Sequence, residues 1–409
     1  MRSIFATLIL AASSLAHAQN MTPNNGGPIV IHADRVLDGK GKVIAGGTVV
    51  VQNGKITKVD AAPAGAVTYD LKGMTVMPGM IDAHSHLMWY FNRQGRYHTR
   101  QTDNDTPVES MLAAAGNAYA TLMAGFTTIQ SPGNPEDKDL REFIASGQVP
   151  GPRVLTSLNP FSSTRPSPDT LRAQVRQRKA EGADVIKIFA SASIRDGGAQ
   201  TLSDDQLKAL CGEAKAQGMR TMVHAHSAES IKASVLAGCD QIEHGVFVND
   251  ETLKLMADHH VYFDPQVCLV FRNYLDNRKS FEGIGNYNEA GFAAMEKALP
   301  LAAAGYKKAI NTPGLKVIFG TDAVAGAHGR NAEELVCRVQ AGGQKPIDAI
   351  TSATSLTAES MHLGDQIGTL APGFEADIIA VKGDPTTDIT ALRSVMFVMK
   401  GGRVFKNER

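Results

Sequence analysis

The feature that most constrains this chain is a succession of short apolar runs, each separated from the next by a segment of helical character. Eight such runs stand between residues 75 and 321: TVMPGMIDA, GFTTIQ, RVLTSL, ADVIKIFA, RTMVHA, DQIEH, VYFDPQV and LKVIFGT. Apolar strands that alternate with helices pair in parallel and are buried on both faces. The pattern predicts an α/β fold, and eight units within residues 77–363 favour a closed (β/α)8 TIM barrel over an open sheet.

The two ends of the chain have β character without helices. VVVQNGKITKV places Asn53-Gly54 between two β-branched runs, which is a strong hairpin signal, and VMFVMKGGRVF turns at Gly401-Gly402 in the same way. We expect residues 28–76 and 364–409 to meet in one small discontinuous β-sandwich domain beside the barrel.

Residues 1–18 are predicted to form a cleaved secretory signal peptide. Arg2 gives a positively charged start, a short apolar stretch follows, and Ala16-His17-Ala18 offers the small residues of a cleavage site. That stretch is too short to span a bilayer, and no later stretch is long and apolar enough to do so. We therefore expect a periplasmic or secreted protein with no membrane span; a frayed N-terminal helix is the alternative for this segment.

Composition excludes some classes of partner, but it does not decide whether the cysteines are free or bonded. The 41 Lys+Arg balance the 41 Asp+Glu, so the chain has no charge footprint for nucleic acid or an anionic membrane. Its four cysteines, Cys211, Cys239, Cys268 and Cys337, have neither metal-type nor framework spacing. We expect them to be buried free thiols, with one disulfide as the alternative.

The chemically informative residues stand where the predicted strands end, which is the working face of a barrel. These ends carry Asp82-Ala83-His84-Ser85-His86, Lys187, His224-Ala225-His226, Glu243-His244 and Thr321-Asp322. Each has an ordinary explanation alone: a hydrogen-bonded histidine, a lysine whose amine reaches solvent, or an aspartate that caps the next helix. Because they follow five different strands, together they predict a nitrogen/oxygen metal site.

This combination resembles the metal-dependent amidohydrolase superfamily over nearly the whole chain after the signal peptide. The family pattern is an apolar strand that ends in His-x-His, a barrel lysine, one histidine from each of two following strands and a late aspartate. GADVIKIFASAS, VHAHSAES, QIEHGVF and AHGRNAEEL are similar to the branch that holds Xaa-Pro dipeptidases and imidazolonepropionase-like proteins, and to secreted ochratoxin-hydrolysing amidohydrolases. The residues that match the pattern are His84, His86, Lys187, His224, His244 and Asp322.

The resemblance implies two Zn²⁺ per chain, bridged by N6-carboxylated Lys187 and a hydroxide. His84, His86 and Asp322 would hold one ion, and His224 and His244 the other. Asp322 would also accept the proton of the attacking hydroxide and pass it to the leaving amine. We expect His226 to be catalytic through contact with the oxyanion, with metal ligation as the alternative.

The resulting expectation is a binuclear zinc hydrolase that cleaves dipeptides or N-acyl amino acids and releases the C-terminal residue, with ochratoxin A among the candidate substrates. Tyr262, Arg272 and Tyr274 follow the start of the seventh strand, where a substrate carboxylate needs a cation or a phenol, and His328 follows the eighth. A cyclic-amide hydrolase or deaminase on the same scaffold, and a non-catalytic metal-binding protein, are the alternatives. Relatives suggest a homo-oligomer, with an octamer as one form.

Overall fold

The computed structural model describes residues 27–61, 66–99 and 103–408. The predicted signal peptide lies outside these residues. The strands are β1 (Ile29–Leu37), β2 (Val43–Ala45), β3 (Thr48–Gln52), β4 (Lys55–Asp60), β5 (Tyr69–Pro78), β6 (Met80–Asp82), β7 (Phe126–Ser131), β8 (Arg153–Thr156), β9 (Val185–Phe189), β10 (Arg220–Ala225), β11 (Gln241–His244), β12 (Tyr262–Asp264), β13 (Ile378–Lys382), β14 (Val395–Lys400) and β15 (Arg403–Asn407).

Helices occupy most of the chain between these strands. They are α1 (Pro107–Met123), α2 (Asp137–Ala145), α3 (Pro168–Glu181), α4 (Asp204–Ala216), α5 (Ala228–Leu236), α6 (Asp250–Asp258), α7 (Leu269–Asp276), α8 (Arg278–Phe281), α9 (Glu289–Ala309), α10 (Ala332–Gln340), α11 (Pro346–Thr351) and α12 (Thr357–Ser360). Short 3₁₀ turns cover Ile194–Asp196 and Ile389–Arg393, and a π-helical turn covers Ser352–Leu356. Within the described ranges, none of the helices combines the length and the apolar character that a membrane span requires.

The predicted α/β class is confirmed by parallel strands that alternate with helices. β6, β7 and β8 form one parallel sheet, and β9 to β12 form another. Backbone hydrogen bonds connect the two sheets. The Phe161 amide, just after β8, donates to the backbone carbonyl oxygen of Lys187 in β9 at 2.8 Å. The eighth predicted run forms isolated contacts instead of a regular strand: Val317 bridges Phe263, and the Ala83 amide donates to the Phe319 carbonyl at 2.9 Å. Just after the run, Ala323 bridges Ser85. Each parallel segment is therefore hydrogen-bonded to the next, and the eighth to the first.

Local sequence signals explain where these helices begin and end. Ser203 caps α4 in a capping box with Gln206, and Ser167 caps α3 through the Thr170 amide. Gly182 ends α3 at φ 92°, a left-handed conformation that glycine adopts without strain. The helices pack their apolar faces on β9 to β12, with Ile188, Val223 and Ile242 buried at the contact. These caps and contacts direct the carboxyl ends of the strands towards one side of the molecule.

Strands from both chain ends form a single antiparallel and parallel sheet in the order β15-β14-β13-β5-β1-β3-β4. The hairpins predicted at Asn53-Gly54 and Gly401-Gly402 are confirmed, with Gln52 opposite Lys55 and Lys400 opposite Arg403. The two chain ends meet in this continuous sheet because β5 bonds to β1 on one edge and to β13 on the other. The two-layer sandwich form of the domain stays a prediction.

The prediction of free thiols is wrong, because all four cysteines are paired. Cys211 of α4 bonds to Cys239 just before β11, and Cys268 just before α7 bonds to Cys337 of α10, with Cα atoms 5.1 and 6.1 Å apart. The partners lie on elements that are packed side by side, so their spacing along the chain carries no trace of the pairing. A bridge requires only that the Cα atoms approach within bonding range in the fold.

Candidate metal centre and its cavity

The metal ligands predicted from sequence lie together at the carboxyl ends of the parallel strands. His84 and His86 follow β6, and Asp322 follows the eighth segment. The Oδ1 atom of Asp322 lies 3.4 Å from His84 Nε2 and 3.2 Å from His86 Nε2. Potential ligand atoms of His84, His244 and Asp322 all lie within 4.8 Å of one another. The structure therefore brings residues from distant parts of the chain within reach of a common ion.

Two hydrogen bonds orient the imidazoles of this group. His84 Nδ1 lies 2.6 Å from Glu243 Oε2, and His244 Nδ1 lies 2.6 Å from Gln266 Oε1. Acceptors at Nδ1 hold the proton there and leave the Nε2 lone pair free for a metal. Sequence reasoning quoted Glu243 only as the neighbour of His244 and missed this role. The available signal was a carboxylate inside an otherwise apolar strand.

Lys187 is a buried cation without a hydrogen-bond partner. Its side chain is 1% exposed, and its Nζ finds no acceptor in the described part of the chain. Burial lowers the pKa of the Lys187 amine, although Glu243 and Asp322 act in the opposite direction. A buried polar atom left without a partner is costly, so its presence here calls for a group that the chain itself does not supply.

The two histidines of β10 and its end lie beside the same cluster. The rings of His224 and His244 are 4.5 Å apart, and those of His226 and His244 are stacked at 4.9 Å. His224 Nε2 lies 3.3 Å from the Ala192 carbonyl, which leaves Nδ1 free as its ligand atom. The Nδ1 atom of His226 has no hydrogen-bond partner in the part of the chain that the structure describes. Burial, followed by the charges of Arg195 and Lys187, lowers the pKa of His226 to about 3.

Two residues of the centre hold backbone conformations that are unusual for their type. His244 has φ 69° and Asp322 has φ 52°, both in the left-handed region. Such conformations cost on the order of 1–3 kcal/mol and persist where surrounding structure imposes them, often at functional sites. Each one turns a side chain towards the cluster at the point where its strand segment ends.

The donor set fits divalent metal ions that prefer nitrogen and oxygen ligands. Burial is the main cause that lowers the pKa of His84, His224 and His244, so these imidazoles are neutral, as metal ligands must be. For Asp322, burial raises the pKa but His84 and His86 outweigh it, so the pKa is lowered and the group is a carboxylate. Neutral imidazoles with one carboxylate are the ligands that zinc and its neighbours favour.

A cavity of about 120 Å³ opens onto this cluster. Its apolar wall includes Phe189, Val270, Phe271 and Met295, and Trp89 stacks on His86 with ring centroids 4.2 Å apart. Arg195 and Tyr274 add polar groups to the lining. Tyr274 was among the sequence candidates for substrate contact, whereas Trp89 and Arg195 were missed because they lie in loops without a motif.

The structure does not bring the predicted substrate residues Tyr262 and Arg272 to the cavity. Tyr262 begins β12, at the end of the strand remote from the centre, and its hydroxyl donates to Glu359 at 2.9 Å. Arg272 lies on α7 with its guanidinium 3.9 Å from Cys337 Sγ. Residues two positions apart on a helix face opposite ways, so Tyr274 lines the cavity and Arg272 does not.

His328, the third predicted substrate residue, also lies outside the cavity lining. Its Nε2 is 3.2 Å from the carbonyl oxygen of Trp89, and burial is the main cause that lowers its pKa to about 4. The neutral ring therefore supports the backbone of Trp89, which in turn stacks on His86.

Comparisons with known proteins agree with this geometry. Residues 75–405 match the profile of the amidohydrolase family. Ochratoxinase of Aspergillus niger is 26% identical over 378 residues, which cover 81% of this chain and 75% of the relative. Imidazolonepropionase of Geobacillus kaustophilus is 22% identical and covers 90% of this chain and 91% of the relative. A crystal structure of a Xaa-Pro dipeptidase with bound methionine in the active site is 29% identical, with a TM-score of 0.82 over 93% of this chain and all (100%) of that one.

Proposed function

This chain belongs to the amidohydrolase family and is a hydrolase that acts on C–N bonds, and we propose that it is a binuclear metal enzyme that releases the C-terminal residue of dipeptides or N-acyl amino acids. The observation that carries the proposal is that four histidines, Asp322 and the buried Lys187 line one cavity, and that the Lys187 amine has no hydrogen-bond partner among the described residues. The coarser statement, hydrolysis of amides by a family member with a metal-binding cluster, follows from the family and the cluster together.

Lys187 is the bridging group in this proposal. Its lowered pKa favours the neutral amine, which adds carbon dioxide and releases a proton to give an anionic carbamate. The carbamate supplies two oxygens where the unmodified amine supplies one poor donor. His84, His86 and Asp322 would hold one zinc ion, and His224 and His244 the other. When bound, the ions supply Lewis acidity and lower the pKa of a water to near neutrality.

The chain's own residues handle the proton and the carbonyl. Asp322 is held as a carboxylate by His84 and His86, so it can accept the proton of the attacking water. It then returns that proton to the amide nitrogen as the C–N bond breaks, because an amine leaves only once it is protonated. His226 is neutral and its Nδ1 is unpaired, so one ring nitrogen can donate to the carbonyl oxygen as negative charge develops there.

The size and lining of the cavity favour a small amide with an apolar side chain. Ligand cavities commonly measure roughly 300–1,000 Å³, whereas this one has about 120 Å³. The related Xaa-Pro dipeptidase structure holds methionine, an apolar amino acid, in its active site. We therefore propose dipeptides and N-acyl amino acids as the main substrates and rank the larger ochratoxin A below them.

The direct test measures metal content and hydrolysis on the same preparations. Wild-type protein loaded with zinc is expected to hold two ions per chain and to hydrolyse a panel of dipeptides and N-acyl amino acids; ochratoxin A is assayed beside them. Asp322→Asn is expected to lose turnover, while Lys254→Ala, on the exposed face of α6, serves as a folded control. A stoichiometry of one ion, or inertness of the zinc-loaded wild type towards every amide, contradicts the proposal.

We also propose that the protein is exported and works in an oxidising compartment. The two disulfides support this, because such bonds persist in secreted and periplasmic proteins and are rare where thiols are kept reduced. N-terminal sequencing of protein from the periplasm or medium is expected to start at Gln19. Recovery of protein that begins at Met1 would contradict export.

A homo-oligomer is proposed on the apolar surface of α1. Val108, Leu112 and Tyr119 are exposed on this helix, although side chains of this size are usually covered. Light scattering at several protein concentrations is expected to give a mass above that of one chain; a single-chain mass throughout would refute the proposal.

A further inference from the structure

Arg195 is a cation in the wall of the metal-site cavity, and no carboxylate of the described residues lies within ion-pair distance of it. It stands in the 3₁₀ turn after β9, and its guanidinium lies 4.1 Å from the Tyr287 ring centroid and 5.5 Å from that of Tyr274. Its Nε donates to Asn286 Oδ1 at 2.7 Å. Asp322, which lines the same cavity, acts on Arg195 electrostatically without forming an ion pair with it, and the Arg195 side chain is partly buried.

Contacts with α9 and with the loop before it hold the Arg195 side chain in place. Asn286 also donates to Asp196, so one amide links two residues of the turn to the loop before α9. Gly291 allows α9 to pack on the stem of Arg195, because a Cβ there would lie 2.4 Å from the Asn286 carbonyl oxygen and 3.4 Å from Arg195 Cβ. A side chain fixed this way loses little conformational entropy when it binds a ligand.

Arg195 lies on the same cavity as the metal ligands and close to one of the catalytic candidates. Arg195 and His226 both line this cavity, and Gly198, just after the turn that carries Arg195, packs against His226, since a Cβ there would lie 2.7 Å from the His226 Cβ. A ligand that extends from the metal ligands past His226 therefore meets the guanidinium. In an N-acyl amino acid, the scissile carbonyl carbon and the carboxylate carbon are three bonds apart. This short separation suits a small cavity whose lining includes both the metal ligands and the Arg195 guanidinium.

We propose that Arg195, with the phenol of Tyr274 beside it, binds the free α-carboxylate of the amino acid that is released, and so restricts the enzyme to substrates with an unblocked C-terminus. A guanidinium presents paired donors that match a carboxylate, and the aromatic surroundings exclude competing water. The assignment rests on the proposed function, since it names the part of the substrate that this site recognises.

The kinetic test compares an acid with its neutral counterpart. Zinc-loaded wild type is expected to prefer N-acetyl-L-methionine over N-acetyl-L-methioninamide by about 100-fold in kcat/KM, as expected for charge-assisted hydrogen bonds. Arg195→Met is expected to remove that preference, mainly through KM for the acid, with the amide little changed. Arg195→Lys should restore part of it. Arg278→Met is the matched control, because that arginine also lies over an aromatic ring, Phe292, but outside the cavity lining.

A binding test separates this inference from the proposed function. Calorimetry on the full zinc-loaded chain compares 3-phenylpropanoate with 3-phenylpropan-1-ol, neither of which has an amide to cleave. Arg195→Met is expected to weaken the carboxylate at least about 10-fold and leave the alcohol unchanged. If this holds while no amide is hydrolysed, the function fails and the carboxylate site stands. If amides are hydrolysed but Arg195→Met binds the carboxylate as well as wild type does, the site fails and the function stands.

Discussion

Two fully buried cations, Lys187 and Arg338, lie in very different surroundings. Arg338 of α10 is 0% exposed and donates to the carbonyls of Ile318 and Pro265 at 2.6 and 2.7 Å. It also contacts the carboxylates of Asp264 and Glu334. Lys187 is 1% exposed, yet its amine has no hydrogen-bond partner in the described structure. The Arg338 guanidinium finds its hydrogen-bond partners within the fold, whereas the Lys187 amine is left for a bound group to contact.

A chain of carboxylates connects the two regions. Burial, and the proximity of Glu243, raise the pKa of Asp264 well above its usual range, which favours the protonated form of Asp264 beside Glu243. Glu243 in turn orients His84, while Asp264 contacts Arg338. The comparison teaches that burial of a charge does not itself mark function. The difference lies in whether the neighbours already satisfy it.

The largest expected effect is on activity, from Lys187→Met. Loss of the bridging group should lower kcat/KM at least about 1,000-fold and reduce the bound zinc below two ions per chain. The free energy of unfolding of the metal-free protein should change by less than about 1 kcal/mol, because the replaced amine is unpaired. Activity assays, metal analysis and denaturant melts check the three parts. Retained activity with two bound ions would show that Lys187 is not the bridging group.

Arg338→Met should produce the opposite result. Removing this guanidinium strands the Glu334 carboxylate in the core and takes a hydrogen-bond donor from Asp264, which should lower the free energy of unfolding by roughly 3–5 kcal/mol. The fraction that remains folded should keep its turnover per zinc-loaded site. Thermal melts and active-site titration measure both quantities. A loss below about 1 kcal/mol would show that Arg338 is not the stabilising counterpart.

Glu243→Gln tests the connection between the two regions. The amide can still accept from His84 but lacks the negative charge, so zinc affinity should fall about 10-fold, at the low end for residues that orient a ligand. Competition with a fluorescent chelator measures that affinity. Glu334→Gln is the comparison, since this carboxylate accepts the Val267, Cys268 and Leu269 amides and contacts no histidine of the centre. Equal loss in both variants would contradict the assignment.

The smallest effect is expected from Arg272→Met. This arginine faces Cys337 on the far side of α7 from the cavity, so KM for an N-acyl amino acid should stay within about twofold of wild type. Steady-state kinetics beside Arg195→Met measure the difference. A large rise in KM for Arg272→Met would return this residue to the list of substrate contacts.

Much of the centre was readable from sequence because strand periodicity is local. The end of a buried run indicates where a strand stops, as it does before His84 and His86, at His224 and before Asp322. Parallel strands bring such ends to one side of the sheet. The alternation of elements and the two glycine hairpins were predictable for the same reason. These signals need only a few neighbouring residues to be interpreted.

The parts that sequence did not predict depend on how distant elements pack. Arg195 and Trp89 lie in loops whose direction is fixed by contacts with other loops. Whether Arg272 or Tyr274 faces the cavity depends on where α7 begins, and the sequence does not indicate that position. The disulfide partners meet only because Cys268 and Cys337 are side by side in the fold. The eighth run looked like a strand, but its backbone forms only isolated bridges.

The shared strand β5 has a consequence for how the protein is made. One of its edges is bonded to β13, which follows the whole parallel part of the chain, and its last residues lead into the segment that carries His84. During synthesis that edge stays unpaired until β13 has emerged, although earlier units can already collapse. A ribosome stall or a premature stop codon before β13 would therefore leave an unpaired, aggregation-prone strand edge beside the first metal ligands. Chaperones and quality-control proteases recognise such edges.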